Sequence, residues 1–249
     1  MQFIINCQPT IVNLFMNLPF FYEAFLPADE SFILSEDTSK HIIQVLRMKK
    51  GDEFKLTNGK GDTYLVCITS EHKKATEVSV ISKSHIPQSD TKITIAISLI
   101  KNPGRFEWFL EKATEIGINE IIPLICDRTE KLHFRCDRMN SILLSAMLQS
   151  QQAWLPVLHE PVKYGLVIKS ASHQQRFIAH CVGQEKKLLH EHITRTSDKI
   201  ILIGPEGDFT KQEIDLAVEN NFIPVSLGKT RLRTETAGMV AATIMKLCL

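Results

Sequence analysis

The chain has 249 residues, of which 44% are hydrophobic and 23% charged, and 29 basic against 28 acidic residues leave a net charge of +1. This composition excludes collagen, coiled-coil and disordered chains, and the length suits one large domain or two modest ones. Because the charges balance, contact with a polyanion must come from local basic patches. No apolar run reaches the roughly 18 residues of a membrane span, so no membrane partner is expected.

The six cysteines are spread along the chain without a C-x-x-C pair or a histidine cluster of zinc-site spacing. A chain of this length has enough apolar residues to build a core without disulfide bonds. We therefore expect free thiols, no bound metal and a reducing compartment, which we identify with the cytoplasm.

Residues 1–15 are apolar and almost uncharged, but they lack the basic start and the cleavage site of a secretory signal. We interpret them as an N-terminal extension in front of a first domain at residues 16–85. A polar stretch at residues 84–90 contains a proline that cannot donate to a strand ladder, and we expect a linker there.

The first domain is rich in strand signals. Strands are expected at residues 53–56 and 63–69, because they flank Asn58-Gly59, in which both residues tolerate positive φ and favour a hairpin. Alternating apolar and polar residues predict another strand at residues 77–81. With a short helix over residues 40–48, these strands predict a small β-barrel or another β-rich domain.

Strands and helices alternate after the linker, which indicates an α/β domain with a mostly parallel sheet at residues 90–249. Its first strand, at residues 92–100, is apolar on nearly both faces. Asn102 as N-cap and Pro103 at the first helical position predict a helix that ends at Gly117. Further strands are predicted at 120–125, 176–181, 200–203 and 223–227, and further helices around 139–147, after a capping box at Thr210–Glu213, and over 234–249.

Two turns at the ends of predicted strands are candidates for ligand binding, since ligands of open α/β sheets lie at the carboxyl ends of strands. Gly204-Pro205-Glu206-Gly207 has two glycines that allow close approach of the backbone, although a plain strand-to-helix turn is the alternative. Residues 227–233 carry three cations and either contact a polyanion or a substrate oxygen or form a solvated loop. Gly228-Lys229-Thr230 lacks the earlier glycine of a P-loop, because Ile223 stands there.

These motifs resemble the RsmE family of small-subunit ribosomal RNA methyltransferases, which methylate N3 of a uridine and belong to the SPOUT superfamily. The matching segments are HIIQVLRM at 41–48, EKATEIG at 111–117, IGPEG at 203–207 and LRTETA at 232–237, in the family's order. Two positions depart from the family pattern. Gln152 stands where the family often has arginine, and Asp208 follows GPEG where the family usually has glycine.

The resemblance implies a PUA-like β-barrel followed by a SPOUT domain with a deep trefoil knot, in a homodimer. It implies S-adenosylmethionine as the cofactor and 16S ribosomal RNA, within the small subunit, as the partner. The residues that it assigns to the cofactor are Gly204, Pro205, Glu206, Gly207, Leu227, Gly228, Leu232, Arg233 and Thr234.

The resemblance also suggests catalytic roles. Arg233 would stabilise negative charge on the target base, and Glu235 would orient Arg233 or accept the proton, unless it only caps the last helix. Two alternatives stay open: a SPOUT methyltransferase for another ribosomal or transfer RNA nucleotide, and a non-catalytic RNA-binding assembly factor. Phosphate contacts are expected from Arg47, Lys49, Lys101, Arg105 and Arg128.

Overall fold

A computed structural model describes residues 18–130, 132–183 and 186–248. The extension expected at residues 1–15 lies outside this range. The chain forms two compact units that divide between Pro87 and Gln88. Residues 84 and 85 still belong to a strand, so the connection between the units starts later than the predicted linker.

The first unit is built around a five-stranded sheet. Its strands are β1 (Phe20–Tyr22), β2 (Ser31–Ile33), β3 (Glu53–Thr57), β4 (Asp62–Ser70) and β5 (Glu77–His85), in the spatial order β1-β3-β4-β5-β2. The β1–β3 pair is parallel and the other neighbouring pairs are antiparallel. Alternate residues of β3 and β4 face one side, where Phe54, Leu56, Val66 and Ile68 form a core that excludes water.

The predicted β3–β4 hairpin is confirmed, with Thr57 opposite Thr63. Its positive φ angles fall on Gly59 and Gly61, whereas the Asn58 side chain donates to Asp62 at 2.7 Å. Asn58 therefore stabilises the turn through its side chain and not through a left-handed backbone.

The helix expected over residues 40–48 begins earlier, at Glu36, and passes from an α-helix into a π-helix. Helix α1 spans Glu36–Lys40 and continues as a π-helical turn over His41–Val45. The Ser35 hydroxyl caps α1 by accepting from the backbone N–H of Thr38 at 3.3 Å. This cap, a serine before two acidic residues, is a local start signal that the apolar pattern of residues 42–46 did not include.

The second unit contains a parallel sheet in the order β12-β10-β11-β6-β7-β8, with β9 also paired to β7. Every pairing in it is parallel, which confirms the predicted α/β sheet. The elements in chain order are β6 (Ile93–Ser98), α2 (Pro103–Ile116), β7 (Glu120–Ile125), α3 (Cys136–Gln149), β8 (Val157–Leu158), β9 (Val162–Lys163), α4 (Tyr164–Ser170), β10 (Gln175–Ala179), a 3₁₀ turn (Leu189–Glu191), β11 (Lys199–Ile203), α5 (Lys211–Glu219), β12 (Ile223–Val225) and α6 (Thr234–Leu247).

The helix ends follow the predicted capping chemistry. The Asn102 side chain accepts from the Gly104 N–H at 3.0 Å, and Gly117 ends α2 with φ of 84°. Thr210 and Glu213 form the capping box of α5. These signals could be identified from the sequence because each depends on neighbouring residues alone.

The last helix, α6, packs against α2 and the sheet at a point where only a glycine fits. A Cβ at Gly238 would lie 2.7 Å from the Phe109 ring and 2.8 Å from Cδ1 of Ile97, and both of these side chains are fully buried. The close approach explains why this helix is rich in small residues.

We predict that Gly238→Ala destabilises the protein although alanine favours helices. Overpacking costs about 1–3 kcal/mol, whereas the helix propensity of alanine returns at most about 1 kcal/mol. Urea unfolding followed by circular dichroism measures the difference. Gly165→Ala in α4 is the matched control, because a Cβ there meets no atom within 4 Å in the part of the chain that the structure describes. It should leave stability unchanged or raise it, and equal losses in the two variants would contradict the packing argument.

Candidate functional site

The parallel register brings three loops to one edge of the sheet. Strand β10 lies between β11 and β12, and Ala179, its last residue, pairs with Ile203 of β11 and Val225 of β12. The chain segments that start at His180, Gly204 and Ser226 therefore leave the sheet side by side.

A cavity of about 1160 Å³ lies among these loops and the first turn of α6. It collects most of the residues that the sequence assigned to a ligand. Gly207 is the exception, because it does not line the cavity, and its carbonyl accepts from Nη1 of Arg128 at 2.6 Å. The assigned residues that line the cavity are Gly204, Pro205, Glu206, Leu227, Gly228, Leu232, Arg233 and Thr234.

Two contacts fix the loop that follows β11. The buried hydroxyl of Thr234 donates to the Gly204 carbonyl at 3.0 Å and joins this loop to the start of α6. The Glu206 carboxylate accepts from the backbone N–H of Lys101 at 3.1 Å. Glu206 thus joins the loop after β11 to the loop that carries Lys101. Together with the Thr234 bond, this contact fixes the position of the loop after β11.

Two glycines are required for different physical reasons. A Cβ at Gly204 would lie 3.1 Å from the Phe209 ring and 3.3 Å from the Phe209 nitrogen, so a side chain would require Phe209 to shift by a few tenths of an ångström. Gly228 has φ of 143°, a conformation that L residues with a side chain rarely adopt. Among the described residues, no atom lies within 4 Å of a Cβ built at Gly228. The backbone is therefore bare on this wall of the cavity.

Asp208 departs from the family pattern without breaking the loop. Its φ is 63°, which explains why glycine suits this position. Aspartate tolerates this conformation, and its carboxylate accepts from the N–H groups of Cys181 and Phe209, each at 2.8 Å. Asp208 thereby ties the loop after β10 to the loop after β11.

The two catalytic candidates differ in their surroundings. Arg233 is exposed at the N-cap of α6, whereas Glu235 is buried in its first turn. Oε1 of Glu235 lies 3.7 Å from Nε of Arg105, so its charged neighbour is Arg105 and not Arg233. Oε2 of Glu235 is buried and has no hydrogen-bond partner among the described residues.

The basic residues assigned to RNA have varied neighbours. Nζ of Lys101 lies 2.7 Å from Glu130, whose hydrogen bond raises the pKa of Lys101, and Arg128 is bonded to the Gly207 carbonyl. In the first unit Arg47 and Lys49 are exposed, and Arg47 has φ of 57°.

The loop after β10 contributes side chains to the cavity that no sequence motif indicated. Lys186 and Lys187 line the cavity together with three cations of the 229–233 segment, and within the described ranges none of the five pairs with a carboxylate. His180 and Cys181 also line the cavity. The signal was available, because residues 176–181 were predicted as a strand and parallel neighbours end at one edge.

Gln152, which stands where the family often has arginine, has a structural contact. Its Nε2 donates to the carbonyls of Thr114 at 2.7 Å and Glu115 at 3.1 Å, at the carboxyl end of α2. The side chain satisfies carbonyl groups that a helix end leaves without a partner.

Within the described ranges no helix is long and apolar enough to cross a membrane. The same residues contain no group of three or more His, Cys, Asp or Glu side chains that could hold a metal ion.

Two family models match the chain: an RNA methyltransferase domain over residues 87–246 and an RNA methyltransferase PUA domain over residues 34–81. The chain is 31% identical over 209 residues to the ribosomal RNA small subunit methyltransferase E of Synechocystis sp., covering 81% of this chain and 68% of the relative. It is 28% identical over 217 residues to the protein of the same name from Rickettsia conorii, covering 86% and 88%.

Two solved structures are similar to the fold. A probable rRNA-methyltransferase from Porphyromonas gingivalis has a TM-score of 0.86 and 36% identity, covering 93% of this chain and 98% of that one. A ribosomal RNA small subunit methyltransferase E from Neisseria gonorrhoeae, bound to S-adenosyl methionine, has a TM-score of 0.82 and 28% identity with the same coverage.

We predict that Thr234→Val weakens the link between the two cavity walls. The change leaves the buried carbonyl of Gly204 without its partner, which costs about 1–3 kcal/mol. Thr234→Ser keeps the hydroxyl and is the matched control. Chemical unfolding compares the two variants, and a valine variant as stable as the serine variant would show that the hydrogen bond contributes little.

Proposed function

This chain belongs to the family of RNA methyltransferases that includes the ribosomal RNA small subunit methyltransferases E, and we propose that it transfers a methyl group from S-adenosylmethionine to 16S ribosomal RNA. The acceptor that we propose is N3 of one uridine. The resemblance drawn from the sequence motifs is confirmed at the level of the family, with a PUA-like first domain and a parallel-sheet methyltransferase domain. The observation that carries the proposal is the cavity at the ends of β10, β11 and β12.

The residues around the cavity fit S-adenosylmethionine. Gly228 leaves the backbone open on one wall, so a ligand can be held there by main-chain contacts. His180 also lines the cavity and adds a polar side chain from the loop after β10. When bound, S-adenosylmethionine supplies an electrophilic methyl group on a sulfonium.

The chain's own residues must prepare the acceptor. The N3–H of uracil is a poor nucleophile until its proton leaves, and the negative charge then spreads to the carbonyl oxygens. The exposed guanidinium of Arg233 lines the cavity and would stabilise those oxygens. Glu235 lies two residues beyond Arg233 and is not itself part of the cavity lining. Its Oε2 has no hydrogen-bond partner among the described residues, and we propose that it takes the proton. Arg105, close to Oε1, balances the charge of this carboxylate.

We propose that RNA approaches along the basic residues of the cavity rim and of the first unit. Cations without a carboxylate partner are free to bind phosphate, which favours Lys187, Lys229 and Arg231. The target base must leave its stack to enter the cavity. The residues proposed earlier for RNA, which remain part of this proposal, are Arg47, Lys49, Lys101, Arg105 and Arg128.

Two features support a deep trefoil knot. The chain leaves the sheet at the edge strand β12 and continues into α6, which packs against α2 and β6, although β10 and β11 lie between β12 and β6 in the sheet. Ser226 pairs with Leu188, so the crossing segment runs beside the loop after β10. We also propose the domain boundaries 16–85 and 90–249, and closure of the first sheet into a PUA-like barrel.

A homodimer is supported by the apolar surface of the second unit. Leu247 at the end of α6 is 78% exposed and Trp108 of the neighbouring helix α2 is 44% exposed. Met239, Val240 and Ile244 are only partly buried. Exposed apolar side chains on two adjacent helices suit a subunit interface. The proposed compartment is the cytoplasm, where the small ribosomal subunit is assembled.

The decisive experiment uses purified protein, isotope-labelled S-adenosylmethionine, and 16S RNA or small subunits from cells that lack this gene. We expect one labelled methyl-uridine after digestion and mass spectrometry, and the same nucleotide missing from RNA of the deletion strain. Label in another nucleotide or in transfer RNA would indicate a different target. RNA binding without any binding of S-adenosylmethionine in calorimetry would favour the non-catalytic assembly factor.

We predict that Arg233→Ala lowers kcat for methyl transfer by about 100-fold or more while the protein still binds S-adenosylmethionine. Loss of a cation at the developing oxyanion affects the transition state more than the bound state. Arg231→Ala, in the same loop, is the matched control and should raise KM for RNA with little effect on kcat. Full turnover by the Arg233 variant would refute the catalytic role.

A further inference from the structure

The side chain of Arg128 joins a loop outside the cavity to a loop of the cavity wall. Arg128 lies in the loop after β7, and its Nη1 donates to the carbonyl of Gly207, in the loop after β11, at 2.6 Å. Gly207 does not line the cavity, but its neighbours Glu206 and Asp208 do. The position of this part of the wall therefore depends on a side chain that comes from a different strand.

The stem of Arg128 occupies the space beside Gly207. A Cβ at Gly207 would lie 3.3 Å from Cδ and 3.7 Å from Cβ of Arg128, so a side chain at residue 207 would push the arginine away by a few tenths of an ångström. The second glycine of the 204–207 turn therefore makes room for the arginine and not for a ligand of the cavity.

The loop after β7 also holds the chain that follows Gly207. The N–H of Asp127 donates to Oε1 of Glu213 at 2.9 Å, and the Thr210 hydroxyl lies 3.3 Å from Oδ2 of Asp127. Thr210 and Glu213 form the capped start of α5. The loop after β7 thus supports the loop after β11 at two successive places, Gly207 and the start of α5.

The charge of Arg128 remains available to an anion. Lys101, the cation of the neighbouring loop, lies 2.7 Å from Glu130, whereas Arg128 has no carboxylate partner in the described part of the chain. Its guanidinium is exposed, and among the described residues the Gly207 carbonyl is its one hydrogen-bond acceptor. A guanidinium presents several N–H groups in one rigid plane, so it can hold a carbonyl and a phosphate at the same time.

We propose that Arg128 couples RNA binding to methyl-donor binding, because it holds an RNA phosphate and the Gly207 carbonyl together. The inference rests on the proposed function, which supplies both ligands. A phosphate that fixes the guanidinium also fixes Gly207 and the wall at Glu206 and Asp208, against which the methyl donor binds. Each ligand then favours the same arrangement of the loop, so each raises the affinity of the other by the same factor. Arg128 acts through this loop and is a positioning residue.

The test measures the Kd of 16S ribosomal RNA, taken from cells that lack this gene, by filter binding with and without saturating S-adenosylhomocysteine. We expect S-adenosylhomocysteine to lower this Kd about fivefold or more for the wild-type protein. Arg128→Lys keeps the charge, but an ammonium group on a flexible stem does not fix a carbonyl and a phosphate in one plane. The lysine variant should bind each ligand alone nearly as well as the wild type, while S-adenosylhomocysteine no longer changes the Kd of RNA.

Arg47→Lys is the matched control, because Arg47 is an exposed cation of the first unit and lies outside the loops of the cavity. It should weaken RNA binding by the same factor with and without S-adenosylhomocysteine, so the ratio of the two Kd values stays that of the wild type. Calorimetry on the wild-type protein gives a measurement that needs no variant, since RNA must lower the Kd of S-adenosylhomocysteine by the same factor.

Three results would overturn the coupling: a wild-type Kd of RNA that S-adenosylhomocysteine leaves unchanged or raises, a lysine variant at residue 128 that keeps the wild-type ratio, or a variant that loses RNA affinity equally in both conditions. The last result would make Arg128 a simple phosphate contact. Wild-type protein that binds no S-adenosylhomocysteine would instead overturn the proposed function, whereas independent binding of both ligands would leave that function intact.

Discussion

The parallel pairing of β10 with both β11 and β12 is the constraint on which the site depends. The three strands end side by side at Ala179, Ile203 and Val225, so the loops that follow them begin next to one another at the same edge of the sheet. Two hydrogen bonds then join the loops, from Thr234 to the Gly204 carbonyl and from the Cys181 N–H to Asp208. The cavity is thus a product of strand register, and its lining residues lie far apart in the sequence.

Local signals account for the elements that the sequence predicted well. Asn102, Gly117 and the Thr210–Glu213 box act on their own turns, so the ends of α2 and the start of α5 follow from neighbouring residues. Helix α4 and the two-residue strands β8 and β9 were missed, because their pairing and burial come from the rest of the sheet. The 3₁₀ turn at Leu189–Glu191 was missed for the same reason.

The residues of the candidate site also fall into two groups, those that a local motif indicates and those that only the packing of the sheet brings together. The glycine-rich turn at 204–207 and the basic loop at 227–233 carry their chemistry in consecutive residues, and both reach the cavity except for Gly207. His180 and Lys186 belong to no recognisable motif. Only the register of β10 with β11 and β12 shows that the loop carrying them lies beside the cavity. The pairing of Glu235 with Arg105 joins residues on different helices, so the sequence suggested Arg233 instead.

The charge distribution of the cavity shows how a nearly neutral chain can still attract a polyanion. Two of the acids that line the cavity, Glu206 and Asp208, are already hydrogen-bonded to backbone N–H groups. The cations of the same lining, among them Lys187 and Arg231, have no carboxylate partner within the described ranges. Bonds to the backbone therefore occupy these carboxylates and leave the positive charges of the lining unneutralised, so the local field favours phosphate although the formal net charge is only +1.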